Sequence, residues 1–453
     1  MSNFDGNFWI DPENKKRGSL VMDQDGTFLL EVEGYLFWPE QLEDKGDFWD
    51  QNVRPENVVA DRWPRTVLGL LDTGEPISLL GAIMQHLHGD IRFQRFALPS
   101  LVRGAHLHGR DDAVGGIRWR WRIPPQVAGW THDSASRVEG DLAGVLSPWC
   151  DDRDAGLQLL LDQPSPLDAT LTRSREYSSQ LVALACFNAP PAAMVTEIRV
   201  NDEWREYEVP EQDPAPQVET RLIPLKSLTV PAFADWLPKA DLIHPFPFMA
   251  NSLTNILQLD AMILGTLLEG LHRRLYLKQR PLTGISNNKV LAAADTARKV
   301  FVDQLKEQGC QNPDVANKLA NEALSHINEP NYHDRVMALV EPVQELVPSL
   351  FGPELSEWVD RTKAIRNAQS HQTLQIFDEE KIQEYYVFMQ SCRWAVTLRM
   401  LLIVLPKEQV LSALRKSRSF HFALANIDQE NLWPSFSALQ SFRTTAADNG
   451  VPV

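Results

Sequence analysis

Eight prolines fall between positions 210 and 247: Pro210, Pro214, Pro216, Pro224, Pro231, Pro238, Pro245 and Pro247. Proline fixes φ and removes a backbone donor, so a run this dense stops long helices and central strands. A chain of 453 residues is long enough for two or three domains, and this stretch marks where it changes character. The division that follows is a β-rich part over residues 1–208, a proline-rich connection over 209–247, and a helical part over 248–453. The fold class expected is α+β in two domains, with a sandwich-like or open-barrel N-terminal domain.

Ahead of the prolines the sequence reads as strands and turns. "GSLVMDQDGTFLLEVEG" places two apolar-rich runs around Asp-Gln-Asp-Gly, a hairpin signal. "GGIRWRWRIP" alternates strictly, with Ile117, Trp119 and Trp121 on one face and Arg118, Arg120 and Arg122 on the other. Ten of the thirteen tryptophans lie before residue 237, which suits a domain with a large aromatic core.

Behind the prolines the apolar period becomes helical. "FMANSLTNILQLDAMILGTLLEGLHRRLYLKQ" reads as one long helix. "NNKVLAAADTARKVFVDQLKEQG", "DVANKLANEALSHIN" and "YHDRVMALVEPVQELV" follow as three more. "FDEEKIQEYYVFMQSCRWAVTLRMLLIVLP" carries a start signal, with Asp378 as N-cap, acids in the first turn and Phe377 placed against Ile382.

The net charge of −16 argues against broad, non-specific binding of nucleic acid. The charge is uneven, however. Residues 231–453 hold 22 Lys+Arg and 24 Asp+Glu, whereas the remainder holds 22 and 36, so a local basic site fits best in the second half. Cys150, Cys186, Cys310 and Cys392 form no C-x-x-C pair and read as thiols of a reducing compartment. The first residues lack a basic-then-apolar leader pattern. The most apolar run, "WAVTLRMLLIVL", contains Arg399 and is too short to span a bilayer. The expectation is a cytoplasmic protein with no membrane partner.

"RTKAIRNAQSH", Arg361 to His371, carries the sharpest chemical signal. On a helix entered at Pro353, Leu355, Trp358, Val359, Thr362 and Ile365 share one face, and Arg366 falls within about 20° of Val359. A guanidinium on a core stripe is costly unless it is paired or serves a shared surface. His371 lies about 140° round from Arg366 on an unbroken helix. The two cooperate only if the helix breaks near Ser370 or if Arg366 faces a two-fold contact. Spacing alone selects nothing, because Arg-x4-His recurs at Arg103 and His108. Asn367 directly after the arginine, the helical setting and the apolar stripe set Arg366 and His371 apart.

An Arg-Asn-x3-His sequence late in a helical domain, ahead of a long helix and behind a β-rich domain, resembles the HEPN ribonuclease superfamily, and within it the ApeA family of bacterial anti-phage proteins. The resemblance implies a metal-independent endoribonuclease without cofactor that cleaves RNA, plausibly tRNA, in abortive infection. It implies a homodimer or higher homo-oligomer in which two such motifs meet in one cleft, and a phage protein as trigger. Under the resemblance Arg366 and His371 are catalytic and Asn367 is the polar residue between them. Ser370, and Glu269 on the first long helix, are supporting candidates; the residues by themselves favour an ordinary ion pair of Glu269 with Arg273. The residue types suit the chemistry: RNA carries its own 2′-OH nucleophile, histidine titrates near neutrality, and a guanidinium grips phosphate through parallel hydrogen bonds. Tyr385, Tyr386 and Trp394 read either as base-stacking rings or as core.

Two rival readings exist. His86, His88, His106 and His108, with Asp90 near, form two His-x-His pairs that on neighbouring strands could bind a divalent metal for a metal-dependent enzyme. Alternatively, the tryptophan-rich domain is a non-catalytic binding or sensor module and the helical part only dimerises it.

Overall fold

The structure, a computed structural model, describes residues 3–22, 28–36, 64–85, 93–187, 194–209, 222–251, 254, 256–277, 279–370, 379–430 and 432–448. The chain divides into two compact units, Met1–Asp241 and Leu242–Val453.

The first unit begins with β1 (Asn3–Trp9), β2 (Lys16–Met22), β3 (Phe28–Glu33), β4 (Arg65–Leu71), β5 (Pro76–Met84) and β6 (Phe93–Leu98). They pair antiparallel in the order β4-β1-β2-β3-β6-β5, and β4 also pairs with β5. Together these ladders close six strands into a barrel. Alternation along each strand sends Phe8, Leu20, Leu30, Val32, Val67, Leu79 and Phe96 into the barrel, where they are buried. Gly69 faces Phe8 across the β1–β4 ladder, and a Cβ there would meet the Phe8 ring at 2.6 Å. The hairpin read from "GSLVMDQDGTFLLEVEG" is β2–β3, with Gly18 opposite Val32; its turn lies outside the described residues.

From β5 the sheet continues through β7 (Ser100–Arg103), β8 (Ala113–Trp121), β9 (Ser136–Val138), β10 (Gly144–Cys150), β11 (Ala155–Pro166), β12 (Met194–Val200) and β13 (Glu203–Glu208). The order is β5-β7-β13-β12-β8-β11-β10-β9. Ile117, Trp119 and Trp121 of β8 are fully buried, as the alternation requires. Trp121, Trp130 and Phe233 form an aromatic cluster with centroids 5.4–5.8 Å apart, and the Trp130 indole N–H donates to the Gly156 carbonyl at 3.0 Å.

Two helices in this unit depart from the sequence reading. α1 (Leu167–Cys186) occupies a stretch read as strands, packing on β8 and β11. Its apolar end, Leu181–Cys186, is entirely buried, and a short continuous apolar run does not distinguish buried helix from strand. α2 (Val230–Ile243) runs through what was read as an extended connection. Pro231 sits in its first turn, where the missing N–H has no helical partner, while Pro238 lies inside and costs one bond. Burial of Val230, Phe233, Trp236, Leu237 and Ala240 holds the helix despite that loss.

The second unit is helical: α3 (Phe246–Asn251), α4 (Leu257–Leu275), α5 (Asn287–Glu307), α6 (Pro313–Leu324), α7 (Tyr332–Leu346), α8 (Leu355–Ser370), α9 (Glu379–Leu401), α10 (Lys407–Lys416), α11 (Arg418–Gln429) and α12 (Ala438–Asp448). The stretch read as one long helix is two, α3 and α4. The buried Asp260 carboxylate accepts the Thr254 N–H and hydroxyl at 2.8 and 2.7 Å and fixes the entry into α4. α4 packs against α7, α8 and α9, and α7 against α8 and α9, giving a four-helix core. α5 and α6 instead pack on one another as a hairpin between α4 and α7, with a small core of Val302, Ala316 and Ala320. Among the described residues no helix is long and apolar enough to cross a membrane.

Candidate functional site

α8 is built as its helical wheel requires. Leu355, Trp358, Val359, Thr362 and Ile365 are all buried. The Trp358 indole N–H donates to Ser391 Oγ of α9 at 2.9 Å, and its ring meets Phe351 edge-on at 4.9 Å. The Thr362 hydroxyl donates to the Trp358 carbonyl at 2.9 Å. These contacts fix the rotation of α8, and that rotation decides where Arg366 points.

Arg366 leaves the stripe toward α4. Its Cβ and Cγ lie so close to Gly265 that a Cβ on that glycine would stand 3.1 and 3.2 Å from them. Any other residue at 265 would push α8 or the arginine outward. The guanidinium then reaches Glu269, one turn along α4, with Nη2 3.5 Å from Oε2. Nη1 donates to Asn367 Oδ1 at 3.1 Å. The guanidinium carbon sits 5.7 Å from the centroid of the Tyr332 ring. Tyr332, at the start of α7, donates its hydroxyl to the Gly265 carbonyl at 3.1 Å. Burial drives its phenol pKa far above the usual value, so it remains a neutral donor. Arg366 is thus embraced by its own chain on three sides and remains 32% exposed.

Glu269 holds more than one cation. Arg273 Nη2 lies 3.0 Å away and Arg335 Nη1 3.7 Å away. Arg335 is buried; its Nε donates to the Pro330 carbonyl at 2.6 Å and its Nη2 to Glu329 Oε2 at 2.8 Å. Glu329 also lies 3.5 Å from Arg273 and accepts from His326 at 3.0 Å. His326 first, then Arg335, holds the Glu329 carboxyl below the usual range. Among the described side chains, three guanidiniums therefore share two carboxylates, which together sum to +1. Such a cluster, part-buried and cationic, suits a phosphate group.

Below it, His272 is buried and neutral: burial lowers its pKa, with Arg335 and Arg273 acting in the same sense. Its Nε2 meets Gln279 Oε1 at 2.5 Å, and its ring stacks on Tyr276. Burial also pushes the Cys392 thiol up to about 12, so it stays protonated behind α8.

Of the sequence candidates, Arg366, Asn367 and Glu269 come together in this cluster. Ser370 ends α8, and His371 lies outside the described residues, as do Asp378 and Phe377. Glu269 makes both contacts at once, the local pair with Arg273 and the long-range one with Arg366. Gly265, Tyr332, Arg335 and Glu329 were not singled out from sequence. They lie 31 to 101 positions from Arg366, and no local pattern links them to it. Tyr385 and Trp394 are core residues and Tyr386 is half-buried.

In the first unit, His106 and His108 lie on exposed coil after β7 rather than on a strand. His106 Nε2 bonds the Gly69 carbonyl at 2.8 Å and its ring stands edge-on to Trp9. His86, His88 and Asp90 lie outside the described residues. Among the described residues no group of three His, Cys, Asp or Glu side chains could hold a metal ion.

Residues 262–404, from early in α4 to just past α9, match the family described as Apea-like HEPN. No curated protein matches the chain, and no solved structure does.

Proposed function

From a chain whose residues 262–404 are an Apea-like HEPN domain, a kind of domain that is typically a ribonuclease, we propose a metal-independent endoribonuclease whose site is Arg366, Asn367 and His371, supported by Glu269. The observation that carries this reading is the Arg366 guanidinium, one-third exposed and set between Gly265, Tyr332 and Glu269 among other guanidiniums.

Arg366 grips the non-bridging oxygens of the scissile phosphate and stabilises the charge that grows there. The neighbouring 2′-oxygen attacks phosphorus and the bond to the 5′-oxygen breaks, leaving a 2′,3′-cyclic phosphate and a 5′-hydroxyl. One proton leaves the 2′-hydroxyl and another reaches the departing 5′-oxygen; His371 performs one of these transfers. Asn367 and Glu269 orient the guanidinium. Two copies of the site meet in one cleft of a homodimer, as HEPN domains commonly dimerise. The family resemblance adds the biological setting: anti-phage defence, tRNA as substrate, a phage protein as trigger, and the first unit as sensor or restraint.

Incubating the purified chain with RNA in EDTA tests this. The natural protein cleaves; Arg366→Ala and His371→Ala each lose roughly 100-fold or more in rate. Undiminished cleavage by both variants removes the site assignment.

A further inference from the structure

Arg273 stands one turn beyond Glu269 on α4, and its side chain is 52% exposed. Its Nε and Nη2 lie 3.3 and 3.0 Å from the same oxygen, Glu269 Oε1, and its Nη1 lies 3.5 Å from Glu329 Oε2. Two nitrogens on one oxygen are not the two parallel bonds that a guanidinium makes with a carboxylate or a phosphate. An exposed pair at this helical spacing is also weak. The two carboxylates hold without it. Buried Arg335 gives its Nε to the Pro330 carbonyl, its Nη2 to Glu329 Oε2 and its Nη1 to Glu269 Oε1, so it is a fixed counter-ion to both. Arg366 meets the other oxygen of Glu269, and His326 the other oxygen of Glu329. With Arg273 taken away, both oxygens of each carboxylate still have a partner. Arg273 is therefore the surplus cation of the cluster and its most exposed guanidinium.

We propose that Arg273 takes a second phosphate of the RNA, the one next to the phosphate held by Arg366. Glu269 sets the spacing. Arg273 and Arg366 meet opposite oxygens of its carboxylate, at 3.0 and 3.5 Å, so a single carboxylate separates the two guanidiniums. That is close to the separation of neighbouring phosphates on one strand. The negative charge between them repels a phosphate that would bridge both, so each guanidinium takes its own. Binding then exchanges the one-oxygen contact of Arg273 for the parallel pair that a phosphate offers. The consequence is register: Arg366 marks the phosphate to be cut, and Arg273 fixes on which side of it the strand continues. The place of the first phosphate rests on the ribonuclease reading; the hold of Arg273 on a phosphate does not.

The test uses the full chain and a fluorescent single-stranded RNA carrying 2′-O-methyl groups, which keeps its phosphates and has no 2′-hydroxyl to attack with. In anisotropy titrations over a range of salt, Arg273→Gln weakens binding roughly tenfold. The slope of log affinity against log salt becomes shallower by about 0.7. Arg274→Gln removes the same charge from the next position, about 100° round α4, where the guanidinium bonds the Leu242 carbonyl; it leaves affinity and slope nearly as they were. With unmodified RNA, the preference for a short oligonucleotide over a dinucleoside monophosphate, read as a ratio of kcat/KM values, falls about tenfold in Arg273→Gln. A natural chain that binds no RNA, equal losses in the two glutamine variants, or an unchanged preference for the longer substrate overturns the proposal. Binding that depends on Arg273 in a chain that leaves unmodified RNA intact upholds the phosphate contact and defeats the ribonuclease reading alone.

Discussion

Arg118 in the β-rich unit and Arg366 in the helical unit are both part-buried guanidiniums beside a glutamate, and their surroundings differ in kind. Arg118 bonds Glu197 at 2.7 Å and Gln158 at 3.1 Å, lies 4.1 Å over the Trp204 ring and 5.3 Å from Trp149, and is 13% exposed. Every face of it is engaged by the sheet. Arg366 meets a carboxylate that two other arginines share, has one edge against Tyr332, and keeps a third of its surface in solvent. The first serves cohesion between strands; the second is the group to which the ribonuclease reading gives the phosphate. The contrast teaches that a guanidinium beside a glutamate is characterised by what else packs on it and by how much of it solvent reaches.

The strongest way to break this contrast is paired lysine substitution. Arg366→Lys lowers RNA cleavage roughly 100-fold, because an ammonium cannot make the two parallel bonds. Arg118→Lys leaves cleavage unchanged and lowers unfolding stability by about 1–2 kcal/mol. Equal losses of activity in initial-rate assays would erase the distinction. Next in size is Gly265→Ala. Helix propensity gains about 0.5–1 kcal/mol, so the melting temperature hardly falls, while displacing Arg366 by a few tenths of an ångström lowers kcat about tenfold. A drop in stability without a drop in rate would show that Gly265 serves packing alone. Tyr332→Phe is milder: loss of the hydroxyl bond to Gly265 costs about 0.5–1.5 kcal/mol in denaturant titrations and leaves the cation–ring contact intact.

The smallest effect sharpens the same comparison through pH. His272 has a folded pKa below its unfolded value of ~6.5. Between the two values the unfolded chain binds the extra proton, so stability declines as pH falls below about 6.5. His272→Gln removes that part of the slope. Melting temperatures at pH 5.5 and 7.5 should therefore differ less in the variant than in the natural chain; an unchanged difference refutes the assignment of His272 as buried and neutral.

Legibility followed the range of the forces involved. The stripe Leu355, Trp358, Val359, Thr362 and Ile365 was readable because helical period alone decides which residues share a face. The Arg118/Trp119 alternation was readable for the same reason on a strand. The fate of Glu269 was only half readable: its pair with Arg273 is one turn away, whereas Arg366 is 97 positions distant. Barrel closure turned on the β1–β4 ladder, which sets Gly6 against Leu71 and which no local pattern announces. α1 was missed because an all-buried apolar run loses its period, and α2 because burial of Phe233 and Trp236 outweighs one proline.

The sequence by itself determined the two-part layout, the face of α8 on which Arg366 rides and the alternation of β8, since each depends on chain geometry within a few residues. Tertiary structure alone decided that Gly265, Glu269, Tyr332 and Arg335 converge on that guanidinium. Contacts between helices far apart in sequence depend on their packing and rotation, which are settled by the whole buried surface at once.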